Sequence, residues 1–446
     1  MRTQLLPTQV LDVAKLVNTV DLPNYSEPGT GKTLTTIGAI EAIGLDNGIV
    51  VAPPIALPMW QRVIEQELGA VASILKSGRE TVQQHEKSDF LVMSYQMATT
   101  KRKELLEFRR RKNAALVLDE SHYLKTHDSK RTMAMFGPMG DGVFGLYEQS
   151  HYCFTLTGTP IERYADDLWS QLRAVQGDAL NKHGVLTYAD FRQRFTYSQI
   201  KQYNPRMAPV MAVVASKNME YLNKLLYEEI GIIRRVMSDV VSHMPPVTFR
   251  EIACECKIDQ QTAGYLKGRT VAQIGQALML GDHEAMTARR LLGLAKLQAV
   301  AQYVLDSAAN GPVVVGYWHT EFGVALAAAL RKAGVATGRI GGDLGMEHRE
   351  QVVNGFNEGS IRVVVGQIAA MGVSLNLQHG GRHVIIGEDD WSPSKIEQFY
   401  KRVWRMGQTE HVQVDFCVAD TAIDEALKSV RESKGVGAGK ILTGTT

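Results

Sequence analysis

The segment Ser26-Glu-Pro-Gly-Thr-Gly-Lys-Thr33 combines residue types that bind phosphate. Glycines let backbone N–H groups approach phosphate oxygens, and a following helix adds the favourable end of its dipole. The stretch 34–43 reads as the helix that this loop opens. In such a loop Lys32 reaches the β- and γ-phosphates of a nucleotide, the Thr33 hydroxyl ligates magnesium, and Pro28, Gly29, Thr30 and Gly31 form the cradle. The strict pattern opens on glycine where Ser26 stands here, a small residue that the geometry tolerates; the plainer reading is a chance glycine-rich turn. Leu116-Val-Leu-Asp119-Glu120-Ser-His122 then puts two adjacent carboxylates directly after an apolar run. One acid at a strand end can hold a metal ion while the next activates an attacking water. That assigns Asp119 to magnesium and Glu120 to water, against the alternative of a solvated acidic turn. Late in the chain, Gln398-Phe-Tyr-Lys-Arg402-Val-Trp-Arg405-Met-Gly-Gln408 spaces two arginines three apart, which on a helix places them on one face. Arginine suits the charge spread over a transferring phosphoryl group. Taken alone, this motif reads as a surface basic helix.

Positioning such groups requires a sheet. Short apolar runs at 48–52, 90–93, 114–118 and 152–156 recur between helical patterns, and the second half repeats the habit at 312–315, 361–365, 383–386 and 412–416. Continuous apolar runs without alternation suit parallel strands buried on both faces. Strands alternating with helices imply βαβ units, whose ligands gather outside the carboxyl ends of the strands. The expectation is an α/β protein of two lobes with parallel sheets, joined by a short helical insertion region. The boundaries expected are 1–243, with a helical protrusion from about 161, and 244–446, with a helical segment at about 259–305. Met244-Pro245-Pro246 is the natural breakpoint, because prolines end helices. Ala165, Leu168, Trp169, Leu172 and Val175 fall at helical spacing and read as core. The tail 433–446 carries four glycines and is expected to be mobile.

Composition sets limits. A chain of 446 residues suggests two or three domains of about 150 residues each. With 45% apolar and 22% charged residues it is an ordinary globular sequence, which excludes wholesale disorder. Lys plus Arg is 49 against 47 for Asp plus Glu, a balance that argues against a protein coating nucleic acid by charge alone. Local excess survives inside that balance. Residues 101–112, KRKELLEFRRRK, hold seven basic and two acidic side chains, either a phosphate-neutralising helix or a solvated face. Four cysteines make no disulfide framework, and Cys254 and Cys256 read as small residues on one face of a strand rather than a zinc site. The N-terminal stretch lacks a signal pattern and no run approaches the ~18 apolar residues of a membrane span, so a cytoplasmic protein of a bacterial or virus-infected cell, or a nuclear one in a eukaryote, without membrane contact is expected.

In this order the motifs resemble the helicase-like ATPases of superfamily two, and within it the Swi/Snf family. Leu6-Pro7-Thr8-Gln9 is similar to the family's opening glutamine motif, which implies that Gln9 reads adenine. Pro53-Pro54 through Trp60 resembles the next motif and Ser94-Tyr95 the one after. Asp119-Glu-Ser-His122 is followed by Lys125 as in a D-E-x-H-x-x-K pattern, and Leu156-Thr-Gly-Thr-Pro160 matches the third motif, which implies that Thr157, Gly158 and Thr159 link nucleotide state to DNA grip. Ile233-Arg-Arg235 with Asp239-Val240 and Pro245-Pro246 resembles the inter-lobe segment; Trp391-Ser-Pro393 resembles a W-N-P element and Arg405-Met-Gly-Gln408 an R-x-G-Q ending. The compact form, with the wording around Tyr317–Thr320 and Glu388–Pro393, is similar to the annealing-helicase branch near the HepA-related proteins. Lys401, Trp404 and Arg163 depart from the family's usual glycine, histidine and asparagine, which bears on coupling rather than on phosphate contact.

The resemblance implies two RecA-like lobes, ATP and Mg2+ as ligands, and double-stranded DNA as partner of a protein monomeric in its absence. Lys32, Thr33 and Asp119 would bind nucleotide and metal, Gly372 and Gln398 would add nucleotide contacts, and Arg402 and Arg405 would complete the site when the lobes close. Pro53, Ser94, Tyr95 and Trp391 fall among the DNA-contacting or coupling positions. The implied activity is ATP-driven translocation along duplex DNA. The alternatives are a strand-separating DNA or RNA helicase, and an ATP-gated clamp or recruitment module that does not hydrolyse productively.

Overall fold

The computed structural model describes residues 1–19, 21–109, 114–137, 144–147, 152–201, 208–240, 244–371 and 375–443, apart from the side chains of Arg109 and Lys201. In the first half β1 (Asn47–Val51), β2 (Ala72–Ile74), β3 (Phe90–Met93), β4 (Ala114–Asp119) and β5 (Tyr152–Leu156) form one sheet in the order β2-β3-β1-β4-β5. Every pairing in it is parallel, with Val51 opposite Met93 and Leu118. The central strands are buried almost throughout, because helices cover both faces and each Val, Ile or Leu finds an apolar neighbour on either side. Ile49, Leu91, Leu116 and Leu118 enter one core beside Tyr95, Leu105 and Phe108.

Two contact-defined units divide the chain: Met1–Ser242 together with Gly437–Thr446, and His243–Val436. The first also holds an antiparallel hairpin, β6 (Thr196–Lys201) with β7 (Val210–Ser216). The second is built on β8 (Val247–Ala253), β9 (Val313–Tyr317), β10 (Thr337–Ile340), β11 (Val363–Gln367), β12 (His383–Ile386) and β13 (Val412–Val418). Their order is β10-β11-β9-β12-β13-β8, again with every pairing parallel. The α/β class with two parallel-sheet lobes thus agrees with the expectation.

The differences are local. The helical protrusion expected from about 161 also contains the β6–β7 hairpin, and the edge strand β8 precedes the helical segment expected at about 259–305. The stripe Ala165, Leu168, Trp169, Leu172 and Val175 is buried, as its spacing suggests. Cys254 extends β8 by one hydrogen bond, to the Val418 carbonyl (2.7 Å), whereas Cys256 lies past the strand end and is half-buried. The glycine-containing tail is helical as far as Thr443, the end of the helix Ala422–Thr443, and 444–446 lie outside the described residues. Ile441 is fully buried beside Leu222 and Leu226, and the Ile441 and Leu442 carbonyls accept from Asn223 Nδ2 (2.8 Å) and the Tyr227 hydroxyl (2.6 Å). Burial of two large apolar side chains outweighs the entropy that three helical glycines forfeit, about 1 kcal/mol each. Among the described residues no helix is long and apolar enough to cross a membrane.

Candidate nucleotide site

Residues 24–27 run extended beside β5, where Asn24 N donates to Thr155 O (2.9 Å) and Thr157 N to Asn24 O (3.1 Å). On their other side Tyr25 N and Glu27 N donate to the carbonyls of Ile233 and Arg235 (2.7 and 2.9 Å). The chain then turns through Gly29 and Gly31, both at φ +88°, a left-handed conformation that a side chain would strain, and enters the helix Lys32–Ile43. Gly31 has a second reason to be glycine, since a Cβ there would meet Gln9 Nε2 at 2.1 Å. Gln9 itself is buried in the helix Pro7–Asn18; its Oε1 accepts from Leu6 N (2.9 Å) and its Nε2 faces the Thr30 carbonyl at 3.5 Å. Thr30 Oγ1 donates to Glu27 O (2.8 Å). Ser26 is buried and its hydroxyl accepts from Arg235 N (3.0 Å), so the departure from glycine supplies a bond to the segment behind the loop. Arg235 in turn grips Asp12 with two nitrogens, the closest contact at 2.6 Å. Lys32 Nζ donates to the carbonyls of Ser26 (2.7 Å) and Glu27 (3.0 Å), inside the loop whose ligand it would contact. Thr33 lies half-buried in the first helical turn.

The acid pair closes the carboxyl end of β4. Asp119 Oδ2 accepts from Trp60 Nε1 (2.8 Å), Oδ1 accepts from Glu120 N (3.0 Å), and the Asp119 carbonyl accepts from the Tyr95 hydroxyl (2.8 Å). Burial, followed by the neighbouring Glu120 charge, pushes the Asp119 carboxyl up to about 6; the Trp60 bond and Lys32 pull the other way. Glu120 sits at φ +51°, ψ +50°, a strained left-handed position for a non-glycine residue costing about 1–3 kcal/mol. That strain aims its carboxylate at Thr157, whose Oγ1 donates to Glu120 Oε2 (3.3 Å) and meets His122 Nδ1 at 2.9 Å. Thr159 N donates to the same hydroxyl (3.1 Å). His122 also lies 3.2 Å from Glu120 and 3.7 Å from Glu162, which pairs closely with Lys125. Gly158 packs directly on the loop, for a Cβ there would come within 2.6 Å of Pro28 Cδ. The third motif therefore touches the phosphate loop through Gly158 and the acids through Thr157.

The donor set suits a magnesium–nucleotide ligand. A half-buried carboxylate next to a second one stays raised despite Lys32, and a divalent cation restores its ionised form. Thr33 and Asp119 are the residues that would hold the ion, which supplies charge neutralisation at the phosphates.

Other positions divide. Tyr95 belongs to the site through Asp119, and burial with the Asp119 and Glu120 charges drives its hydroxyl well above the ordinary range. Ser94 caps the helix Tyr95–Thr100 by accepting from Met97 N (3.2 Å), and Pro53 precedes a 3-10 turn at Pro54–Ala56. The helix Arg102–Arg109 in the basic run buries Leu105 and Phe108 and pairs Lys101 with Glu104 (2.9 Å); residues 110–113 lie outside the described ones.

In the second unit the two arginines are not on a helix. The helix Pro393–Tyr400, which carries the buried Gln398, ends before them, and 401–407 is a run of turns. Competing bonds win over helix continuation: Trp404 Nε1 donates to Pro245 O (2.7 Å), and Gln408 Nε2 donates to the carbonyls of Gly381 (2.8 Å), Gln378 (3.2 Å) and Val403 (3.3 Å). Arg402 is buried, and its carbonyl accepts from Leu377 N (3.0 Å). Arg405 donates to Asn376 Oδ1 and to Leu375 O (3.4 Å), and burial lowers its guanidinium from its ordinary value. Trp391 packs against Trp318 with ring centres 5.3 Å apart, and Arg289 lies over both rings (4.6 and 4.4 Å from their centres). Gly372 lies outside the described residues. The sequence reading missed Trp60 as the partner of Asp119 and Gln408 as the strut of the arginine turn. Trp60 was signalled only as the end of the motif that starts at Pro53, on the helix Leu57–Leu68.

A phosphate loop, an acid pair at a strand end and a threonine bridging to it define a P-loop nucleotide hydrolase. A model of the SNF2-related domain matches residues 25–300, and one of the helicase conserved C-terminal domain matches residues 295–407. The chain belongs to the SNF2-related family, helicase-like ATPases of superfamily two. It is 23% identical over 436 residues to the human (Homo sapiens) DNA annealing helicase and endonuclease ZRANB3, covering 94% of this chain and 38% of that protein. It is 25% identical over 456 residues to the ISWI chromatin-remodeling complex ATPase CHR11 of Arabidopsis thaliana, covering 90% of this chain and 39% of that one. This chain thus spans well under half the length of either relative. A solved SWI2/SNF2 ATPase core of Sulfolobus solfataricus in complex with dsDNA aligns over 94% of this chain and 88% of its own, at 18% identity and a TM-score of 0.44.

Proposed function

We propose that this chain hydrolyses ATP in a DNA-dependent cycle and uses the cycle to move along double-stranded DNA. The observation that carries the reading is the junction at Thr157 and Gly158, where the element next to the phosphate loop also holds the acid pair. In this reading Lys32 contacts the β- and γ-phosphates, Gln9 reads adenine, and Gly372 and Gln398 add nucleotide contacts. Thr33 and Asp119 hold magnesium, and Glu120 orients the attacking water and takes its proton. Arg402 and Arg405 neutralise the transferring phosphoryl group, a reaction that asks for positioning and electrostatics more than covalent chemistry. Loss of the γ-phosphate changes what Glu120 and Lys32 face, and Thr157 and Gly158 pass that change to the segment that follows them.

The test is ATP turnover measured without nucleic acid and with single-stranded DNA, linear duplex, branched DNA and RNA. Stimulation by duplex, together with displacement of a triplex-forming strand from it, is the expected result. Stimulation by RNA alone, or unwinding of a tailed duplex without triplex displacement, replaces translocation with a strand-separating helicase. Nucleic-acid binding gated by ATP with no turnover on any substrate replaces it with a clamp.

A further inference from the structure

The β6–β7 hairpin is anchored at its base, and its described residues away from the base are exposed. At its base Ala165 N donates to Ser216 Oγ (2.9 Å), Lys217 N to Phe195 O (2.8 Å) and Asn218 Nδ2 to Arg194 O (2.7 Å). Arg192 braces the stem, donating to Ser198 Oγ and Met211 O, both at 2.9 Å. Beyond the base the apolar side chains have no core to enter: Tyr197 is 57% exposed, Ile200 72% and Met211 55%. Ile200 and Met211 face each other across the ladder and share one face. A two-stranded ribbon is marginal by itself and an exposed apolar edge invites aggregation, so such a surface needs a partner.

The charge around it selects that partner. From residue 196 to residue 218 the sequence holds no aspartate or glutamate, yet it holds Lys201, Arg206 and Lys217. Cations and rings interleave at the base: Lys217 Nζ lies 5.1 Å from the Tyr197 ring centre, Arg192 5.6 Å from Tyr188 and Arg194 6.0 Å from Tyr221. A ribbon whose own sequence carries cations and a ring but no acids fits a polyanion that also offers flat apolar faces. A smooth duplex hides those faces in its stack. Bases become reachable by Ile, Met or Tyr only where stacking is interrupted, and apolar wedges of this kind are how proteins exploit such steps.

We infer that the β6–β7 hairpin is a DNA-engaging element that places Tyr197, Ile200 and Met211 against unstacked bases at a fork or junction. This rests on the DNA-dependent reading above and adds a DNA structure to it. The Ala165–Ser216 bond ties the hairpin to the segment just after the Thr157–Pro160 loop, so base engagement and nucleotide state meet within one unit.

The experiment compares the full chain with the triple variant Tyr197→Ala, Ile200→Ser, Met211→Ser, all exposed positions, using fluorescent linear duplex and a three-way junction of equal length. The wild type is expected to bind the junction more tightly than the duplex. The variant should lose roughly ten- to hundredfold in junction affinity, with turnover on linear duplex unchanged. Lys217→Glu should weaken both substrates alike and flatten the salt dependence by about one charge. Unchanged junction binding by the triple variant, with duplex-stimulated turnover intact, overturns the hairpin assignment alone. Absence of stimulation by any DNA in the wild type overturns the DNA-dependent reading with it. A wild type that sediments as a dimer and a variant that sediments as a monomer would instead make the hairpin a contact between two copies of this chain.

Discussion

Two aspartates, one in each unit, answer the same question in opposite ways. Asp119 ends β4 and its carboxyl is pushed up to about 6, first by burial and then by the adjacent Glu120. Asp415 lies fully buried in the middle of β13, where burial also pushes upward, yet its carboxyl ends well below the ordinary range. The reason is its partners. Arg250 grips it with two nitrogens (2.9 and 3.0 Å), and His383, Tyr303 and Gln413 donate at 2.6, 2.7 and 2.7 Å. Asp119 has the Trp60 indole, the Glu120 amide and the pull of Lys32, set against burial and a like charge beside it. A carboxylate that the fold fully satisfies is part of the structure. One held desolvated beside another acid keeps its demand for a cation, and that demand marks a functional site.

The contrast predicts a double dissociation. Glu120→Gln keeps the size of the side chain and an oxygen for Thr157 but cannot take a proton, so turnover should fall on the order of 10²–10⁴-fold while ATP binding persists. Full turnover in that variant would remove Glu120 as the water activator. Asp119→Asn should abolish magnesium-dependent turnover comparably, yet leave the thermal midpoint unchanged or raised, because it relieves like-charge repulsion in a desolvated site. A lowered midpoint there would make Asp119 structural after all. Asp415→Asn should do the reverse and cost about 1–3 kcal/mol of stability with turnover per folded molecule retained. The pH dependence sharpens the point. A carboxyl depressed in the folded state contributes its full stability above the unfolded value near ~3.9 and loses it as pH falls through the folded value. The gap in denaturant midpoint between wild type and Asp415→Asn should therefore be widest near neutral pH and close in acid. A gap that widens in acid breaks the comparison.

Much of this was legible because burial on both strand faces writes a continuous apolar run. Phe90–Met93, Tyr152–Leu156 and His383–Ile386 begin and end where the runs do. The edge strands Ala72–Ile74, only three residues long, and Thr337–Ile340, where glycine and arginine interrupt the apolar run, left too little pattern to read, and the hairpin was hidden because its apolar residues serve no core. The phosphate loop and acid pair are local in sequence and could be read directly. What holds them is not local: Trp60 is 59 residues from Asp119, and Arg235 is 223 from Asp12. The arginine motif shows the reverse failure. Spacing of three implied a helix face, but the helix stops at Tyr400, since Trp404 and Gln408 find backbone carbonyls elsewhere in the fold.

The smallest expected effect tests the partner that sequence could not supply. Trp60 is fully buried on the helix Leu57–Leu68, and its indole N–H donates to the Asp119 carboxylate at 2.8 Å. Trp60→Phe retains an aromatic ring in that space and deletes the donor, so the carboxylate loses an interaction that favours its ionised form and its orientation. Both losses fall on holding the ion rather than on the attack of water. The magnesium concentration for half-maximal turnover should rise roughly tenfold, the equivalent of about 1.5 kcal/mol for one hydrogen bond to a charged group, while turnover at saturating magnesium stays near wild type. A structural role predicts otherwise. If Trp60 merely fills the core, turnover per folded molecule keeps the wild-type magnesium dependence and only the thermal midpoint falls, and the starved carboxylate of the first unit would then owe nothing to its indole.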